Sequence, residues 1–144
     1  MLVQQILSAK ASSAVLTVTA ASKVSDAVKI MSDNKIGTVV VSNDGKGLDG
    51  ILSERDVVRE LGAQGPAVLD SPVSAIMTAK LVTCSETDTA VQILQVMTDR
   101  RFRHMPVMKD GKMIGLISIG DVVKGRLSEL AMEKDALEGM IMGH

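Results

Sequence analysis

The chain has 144 residues, 46% of them apolar, a formal net charge of −1 and one cysteine. That length suits one compact domain or two small halves sharing a core, and the near-zero charge excludes a global field that draws in nucleic acid or a membrane surface. One Phe and no Tyr or Trp leave no stacking platform for single-stranded nucleic acid.

Cys84 alone can form no intrachain disulfide, so a reducing, cytoplasmic setting is expected. No apolar run reaches membrane-span length. The opening MLVQQILSAKASSAVLTV does not read as a signal peptide. No CxxC or His-rich cluster suggests a metal site.

In chain order, a leader Ile6-Leu7-Ser8-Ala9-Lys10 precedes a β-rich run, Val15-Leu16-Thr17-Val18. Ser22 stands where a helix cap is expected. Val24, Ala27, Val28 and Met31 recur at i, i+3, i+4 and i+7, one apolar helical face. Thr38-Val39-Val40-Val41 predicts a strand, and Asn43-Asp44-Gly45 a turn. Then comes GILSERDVV, Gly50 to Val58, running into a helix through Val57, Val58 and Leu61. Gly62-Ala63-Gln64-Gly65-Pro66 reads as a linker.

The sequence then repeats itself. A leader Ile76-Met77-Thr78-Ala79-Lys80 and a run Leu81-Val82-Thr83-Cys84 precede Asp88 at the cap position. Ala90, Ile93, Leu94 and Met97 restate the helical face 66 residues on. His104-Met105-Pro106-Val107 predicts a strand in which Pro106 marks an edge or bulge. Lys109-Asp110-Gly111 restates the turn, and GLISIGDVV, Gly115 to Val123, restates the motif at an offset of 65. The first copy therefore carries one extra residue near Gly47. The tail from Gly125 to Gly143 predicts an amphipathic helix with Leu127, Leu130, Lys134 and Leu137 on one face. Each copy, at roughly 60 residues, would be marginal alone. An α/β (α+β) fold is expected, with boundaries at 1–65, 66–126 and a helical tail at 127–144.

The repeated motif has two readings. Ser53-x-x-Asp56 and Ser118-x-x-Asp121 fit a capping box, Ser at the cap and an acid at the third helical position. The same geometry offers helix N–H groups to a phosphate and a carboxylate to two vicinal hydroxyls. The two readings are compatible, and duplication copies caps as faithfully as sites.

The ordered set apolar helix, RRFRHMPV, KDGK and GLISIGDVVK resembles the second repeat of a CBS-domain pair, or Bateman module; DNKIGTVVV followed by GILSERDVV resembles the first. Val40 stands where the second copy has Pro106. The resemblance implies two β-α-β-β-α repeats packed through their sheets with pseudo-twofold symmetry, binding adenosine-containing ligands such as AMP, ATP or NAD(H) in clefts between them. Carried over, one cleft would use Ser53, Arg55 and Asp56 with Lys80, Val82, Thr83 and the backbone around Met105-Pro106. The other would use Ser118, Gly120 and Asp121 with Leu16, Thr17 and Val39. It also implies a homodimer and an effector protein as the output.

Among the basic residues, Arg103 and His104 are candidate phosphate contacts, and Arg100 and Arg101 suit a helix C-terminus in solvent. Arg55 is surface charge or a phosphate contact. Cys84 is expected to be a buried small hydrophobe, the methionines core filler, and His144 a tail residue. No nucleophile–base pair is visible, so no enzymatic activity is expected. The alternative to a nucleotide sensor is a ligand-free interaction module.

Overall fold

The computed structural model describes residues 1–10 and 15–142; His144 lies outside the described residues. Helix α1 (Val3–Ala9) precedes β1 (Thr17–Val18), α2 (Val24–Asn34), β2 (Thr38–Val41), β3 (Gly50–Ser53) and α3 (Glu54–Gln64). Two 3₁₀ turns, Pro66–Asp70 and Val73–Ala75, lead to α4 (Ala90–Arg100), β4 (His104–Lys109), β5 (Lys112–Ser118) and α5 (Ile119–Ile141).

Two compact units result, and their borders do not follow the repeats. One unit gathers α1, Thr83–Lys109 and the chain from Gly115 onward. The other runs from β1 to Val82 and takes in Asp110–Ile114. Each leader is therefore packed into the unit that holds the other copy's motif.

In the unit running from β1, the sheet order is β1-β2-β3. β1 pairs with β2 in parallel, Thr17 opposite Val40, and β2 pairs with β3 antiparallel, Val39 opposite Leu52. Val24, Ala27 and Met31 of α2 pack with Val39, Val41 and Leu52 in its core. Each of the Val, Leu and Met side chains so buried contributes roughly 1.5–3 kcal/mol. The leader closes this unit: Ile51 and Thr78 exchange both backbone hydrogen bonds, at 3.0 and 2.9 Å. Gly50 permits that approach, because a Cβ there would lie 2.9 Å from both the Thr78 carbonyl oxygen and Met77 Sδ.

The unit containing α1 repeats these relations with its own elements. β4 pairs with β5. Cys84 bridges Val107 in parallel, at the place where Val18 meets Val41 in the first copy. Leu2 bridges Thr89, as Lys23 bridges Pro72. Gly115 faces the leader, where a Cβ would lie 2.8 Å from Leu7 Cδ2.

Four expectations need correction. The run Leu81–Cys84 forms no strand beyond the bridge at Cys84, and the first β run contracts to Thr17–Val18. Ser22 and Asp88 cap no helix; the N-caps of α2 and α4 lie one residue later, at Lys23 and Thr89. Their side chains instead accept from the backbone N–H three residues back, of Thr19 and Ser85, closing turns. Thr89 forms the capping box of α4 with Gln92. The expected linker is the last turn of α3, ended by Gly65 at φ 80° with Pro66 opening the 3₁₀ turn. The tail is no separate element, since α5 runs unbroken from Ile119 to Ile141.

The turn signals hold their places. Asp110 and Gly111 both have positive φ, the tight-hairpin geometry. The residue gained near Gly47 sits in a loop closed by Asp44 Oδ1, which accepts from the N–H groups of Lys46 and Gly47. Those two bonds, Gly47 first, hold the Asp44 carboxyl below its usual range. Lys35 and Arg101 end α2 and α4 in the left-handed region without glycine, another correspondence between the copies.

Candidate functional site

Each motif places its Ser at the end of a strand and its Asp in the first turn of the following helix. Ser53 Oγ accepts from the Asp56 N–H at 3.1 Å, and Asp56 Oδ2 accepts from the Ser53 N–H at 3.0 Å. Ser118 and Asp121 repeat this at 3.1 and 2.9 Å. Both are reciprocal capping boxes that satisfy orphan donors of a helix start. The capping reading is thus correct as geometry, and whatever else these carboxylates do must use the oxygen that is left.

That oxygen differs between the corners. Asp56 Oδ1 accepts from Arg59 at 3.0 Å, one turn along α3, and the Asp56 side chain is only 9% exposed. Both of its oxygens are therefore engaged. Asp121 is 26% exposed, and Lys10 from the leader binds the already engaged Oδ2 at 2.9 Å. Asp121 Oδ1 has no hydrogen bond among the described residues. Lys10 also donates to the Leu116 carbonyl at 2.8 Å, which fixes its ammonium over the strand end.

Burial pushes the Asp121 carboxyl up, but the Ser118 N–H and the Lys10 ammonium outweigh it and hold the group below its ordinary value. It is ionised at neutral pH, an acceptor-only group with an open oxygen. The corner thus combines a helix N-terminus, a fixed cation and a carboxylate.

The other expected residues divide by exposure. Arg55, Lys80, Thr83, Arg103 and Gly120 are exposed, and Leu16 is 39% exposed. Ser53, Thr17, Val82, His104 and Ser118 are half-buried. Val39 and Met105 are fully buried and Pro106 is buried, so only their backbones can meet a ligand. The Pro106 carbonyl already accepts from Cys84 N–H at 3.0 Å, and the Arg103 carbonyl from Ile119 N–H at 2.8 Å. Arg100 and Arg101 lie in solvent at the end of α4. Cys84 is buried, as expected of a small hydrophobe. Burial, then the charge of Asp88, pushes its thiol up to about 12, which removes it as a nucleophile.

Lys10 is the functional candidate that sequence reasoning missed. The match of the two leaders contained the signal, because it sets Lys10 beside Lys80, but not which unit each leader enters. A groove of about 510 Å³ between α2 and α3, lined by Met31, Lys35, Glu54 and Val58 among others, contains none of the expected site residues. No group of metal-ligating side chains is found among the described residues, and no described helix is long and apolar enough to cross a membrane.

Two matched strand-to-helix corners, duplicated helices and exchanged leaders define a tandem-repeat α/β module. The chain matches the CBS domain over residues 3–63 and again over 73–128, and it belongs to the CBS-domain family as a pair of such domains. It is 41% identical over 122 residues to the mitochondrial CBS domain-containing protein CBSX3 of Arabidopsis thaliana, covering 82% of this chain and 59% of that one. The chain thus spans less than two thirds of that relative's length. Among solved structures, the CBS-domain containing protein ATU1752 from Agrobacterium tumefaciens superimposes with a TM-score of 0.83 at 41% identity, over 88% of this chain and 99% of that one. The CBS domain pair of protein MJ0100 superimposes with a TM-score of 0.76 at 21% identity, over 90% and 98%. Those structures carry the same mixed α/β fold.

Proposed function

We propose that the chain is a regulatory module that binds an adenosine-type ligand, AMP, ATP or NAD(H), and transmits its presence through a dimer arrangement or an effector protein. The observation that carries this reading is the Asp121 corner: an ionised carboxylate with one open oxygen, at a helix N-terminus, beside a fixed ammonium. Vicinal ribose hydroxyls suit the open oxygen, and a phosphate suits the Lys10 ammonium and the Gly120 N–H in the first turn of α5. Gly120, whose added Cβ would make only ordinary contact with Ser118 Oγ at 3.6 Å, leaves the backbone of that first turn accessible. Ser118, at the strand end of the same corner, completes the set assigned to this ligand. Support also comes from protein MJ0100, whose CBS pair is known in complex with 5′-methylthioadenosine and S-adenosyl-L-methionine.

The Asp56 corner favours the second reading, a ligand-free interaction module, because both carboxylate oxygens are satisfied within α3 and its cap. The proposed role is regulatory rather than enzymatic, in a cytoplasmic setting consistent with the single cysteine.

The test is spectroscopic and calorimetric. Without Trp or Tyr the protein absorbs almost nothing at 280 nm, so a carried-over nucleotide gives a clear 260 nm band that leaves on denaturation and filtration. A ligand at a hundredfold excess over its Kd stabilises by about 2.7 kcal/mol. A flat thermal response to AMP, ATP and NADH, with no 260 nm band, would leave the ligand-free module.

A further inference from the structure

Helix α5 is longer than its packing requires. Its inward stripe consists of Val122, fully buried, Gly125 and Glu129. Gly125 sits so close to the leader that a Cβ would lie 2.9 Å from Met1 Sδ and 3.1 Å from Ile6 Cγ1. Every residue from Leu130 to Ile141 except Gly139 is exposed. A free helical stretch of that length is marginal in water, and this one is apolar: Leu137 is 59% exposed and Ile141 84%.

Among the exposed apolar residues of this segment, Met132, Met140 and Met142 lie off any single line, whereas the others share one with Lys134. Val123, Leu127, Leu130, Lys134, Leu137 and Ile141 recur at intervals of four, three, four, three and four. That is the seam of a coiled coil, with Leu127, Lys134 and Ile141 at a and Val123, Leu130 and Leu137 at d. At 100° per residue the seam lies to one side of the inward stripe, so packing within the unit leaves it open. The single charged residue in the seam, Lys134, is the kind of a-position group that fixes register and orientation.

We propose that this seam pairs with a second copy of α5 in an antiparallel two-helix coiled coil centred near Met132. Charge selects both partner and direction. Antiparallel pairing sets each Lys134 opposite the apolar Leu130 of the other helix. It brings Lys124 opposite Glu138 on both sides of the axis. Parallel pairing would set Lys134 against Lys134 and Glu133 against Glu138. In the antiparallel arrangement the two Glu133 side chains approach the axis, and Arg126, already 3.8 Å from Glu133 in its own helix, offsets their repulsion. Glu138 is 58% exposed and only 3.8 Å from Lys134, so it is available to a second lysine. This assigns a partner and a register to the dimer part of the proposed function and uses none of the ligand-binding residues. The two can fail separately.

Spin labels on the full chain at Ser128→Cys and, separately, Met142→Cys test it. Native Cys84 is buried and does not compete for the label. At 1.5 Å per residue, antiparallel pairing about Met132 makes the intermolecular distance at position 142 longer than at 128 by about 18 Å. Equal distances at the two positions would mean a parallel pair and overturn the proposal. Absence of intermolecular coupling, with a monomer mass by light scattering, would overturn it too. As an independent check, Lys124→Glu should weaken dimerisation roughly fivefold or more, and adding Glu138→Lys should restore it. Failure of the second change to rescue the first would refute the register.

Discussion

The Asp56 and Asp121 corners have one backbone design and two different neighbours. Both carboxylates close a capping box with the preceding Ser at nearly equal distances. At the first corner the remaining oxygen is taken by Arg59 from the same helix. At the second, the cation is Lys10 from the leader, and it shares the oxygen that the cap already uses. Duplication preserved the cap and let the periphery diverge. A capping box and the proposed ligand carboxylate are thus compatible in this fold; the proposal for Asp121 rests on the oxygen its cap leaves over.

The largest expected effect breaks the symmetry of the glycines. Gly50 faces a backbone oxygen, which cannot rotate away, whereas Gly115 faces the end of Leu7, which can. Gly50→Ala should therefore cost about 2–3 kcal/mol and Gly115→Ala about 1 kcal/mol, read as the shift in urea midpoint at constant slope. Equal costs would mean that the leaders pack alike in the two units.

Next come the caps. Ser53→Ala and Ser118→Ala should each cost about 1 kcal/mol, and a much larger loss at one would show that its Ser does more than cap.

A smaller effect sharpens the contrast between the cations. The Asp121 carboxyl has its folded pKa below its unfolded value, so its stabilisation is fully present above the unfolded value of about 3.9 and is lost as pH falls through the folded one. Lys10→Gln should therefore be less stable than the parent at pH 7, and the two should converge as the pH falls below about 4. A difference that persists undiminished at low pH would place the role of Lys10 in packing, not in the ion pair. The smallest effect is chemical silence: Cys84, its thiol pushed up to about 12, should resist alkylation in the folded protein at pH 8 and react on unfolding.

Much of the fold was legible because duplication writes each signal twice. The helical faces, the Asp110-Gly111 turn and the strand-to-helix motifs all appear where periodicity and turn chemistry put them. The failures share a cause. Ser22 and Asp88 look like caps, since the same side chains that cap helices also close turns three residues back. Leu81-Val82-Thr83 has strand composition but no partner strand, and composition does not report partners. The exchange of leaders between units was invisible because the matched sequences fit either unit equally well. At the proposed site, the Ser118–Asp121 capping box was readable from spacing; the Lys10 contact was not, because it spans most of the chain.

The most direct test is isothermal titration of AMP, ATP and NADH into the parent, Asp121→Ala and Asp56→Ala proteins, with each protein's melting temperature measured alongside. We expect at least one ligand to bind the parent and to lose about tenfold or more in affinity with Asp121→Ala, beyond any loss of stability. Asp56→Ala should act chiefly on the melting temperature. Unchanged affinity in Asp121→Ala, or no heat with any of the three ligands, would contradict the assignment of that open carboxylate oxygen to a sugar.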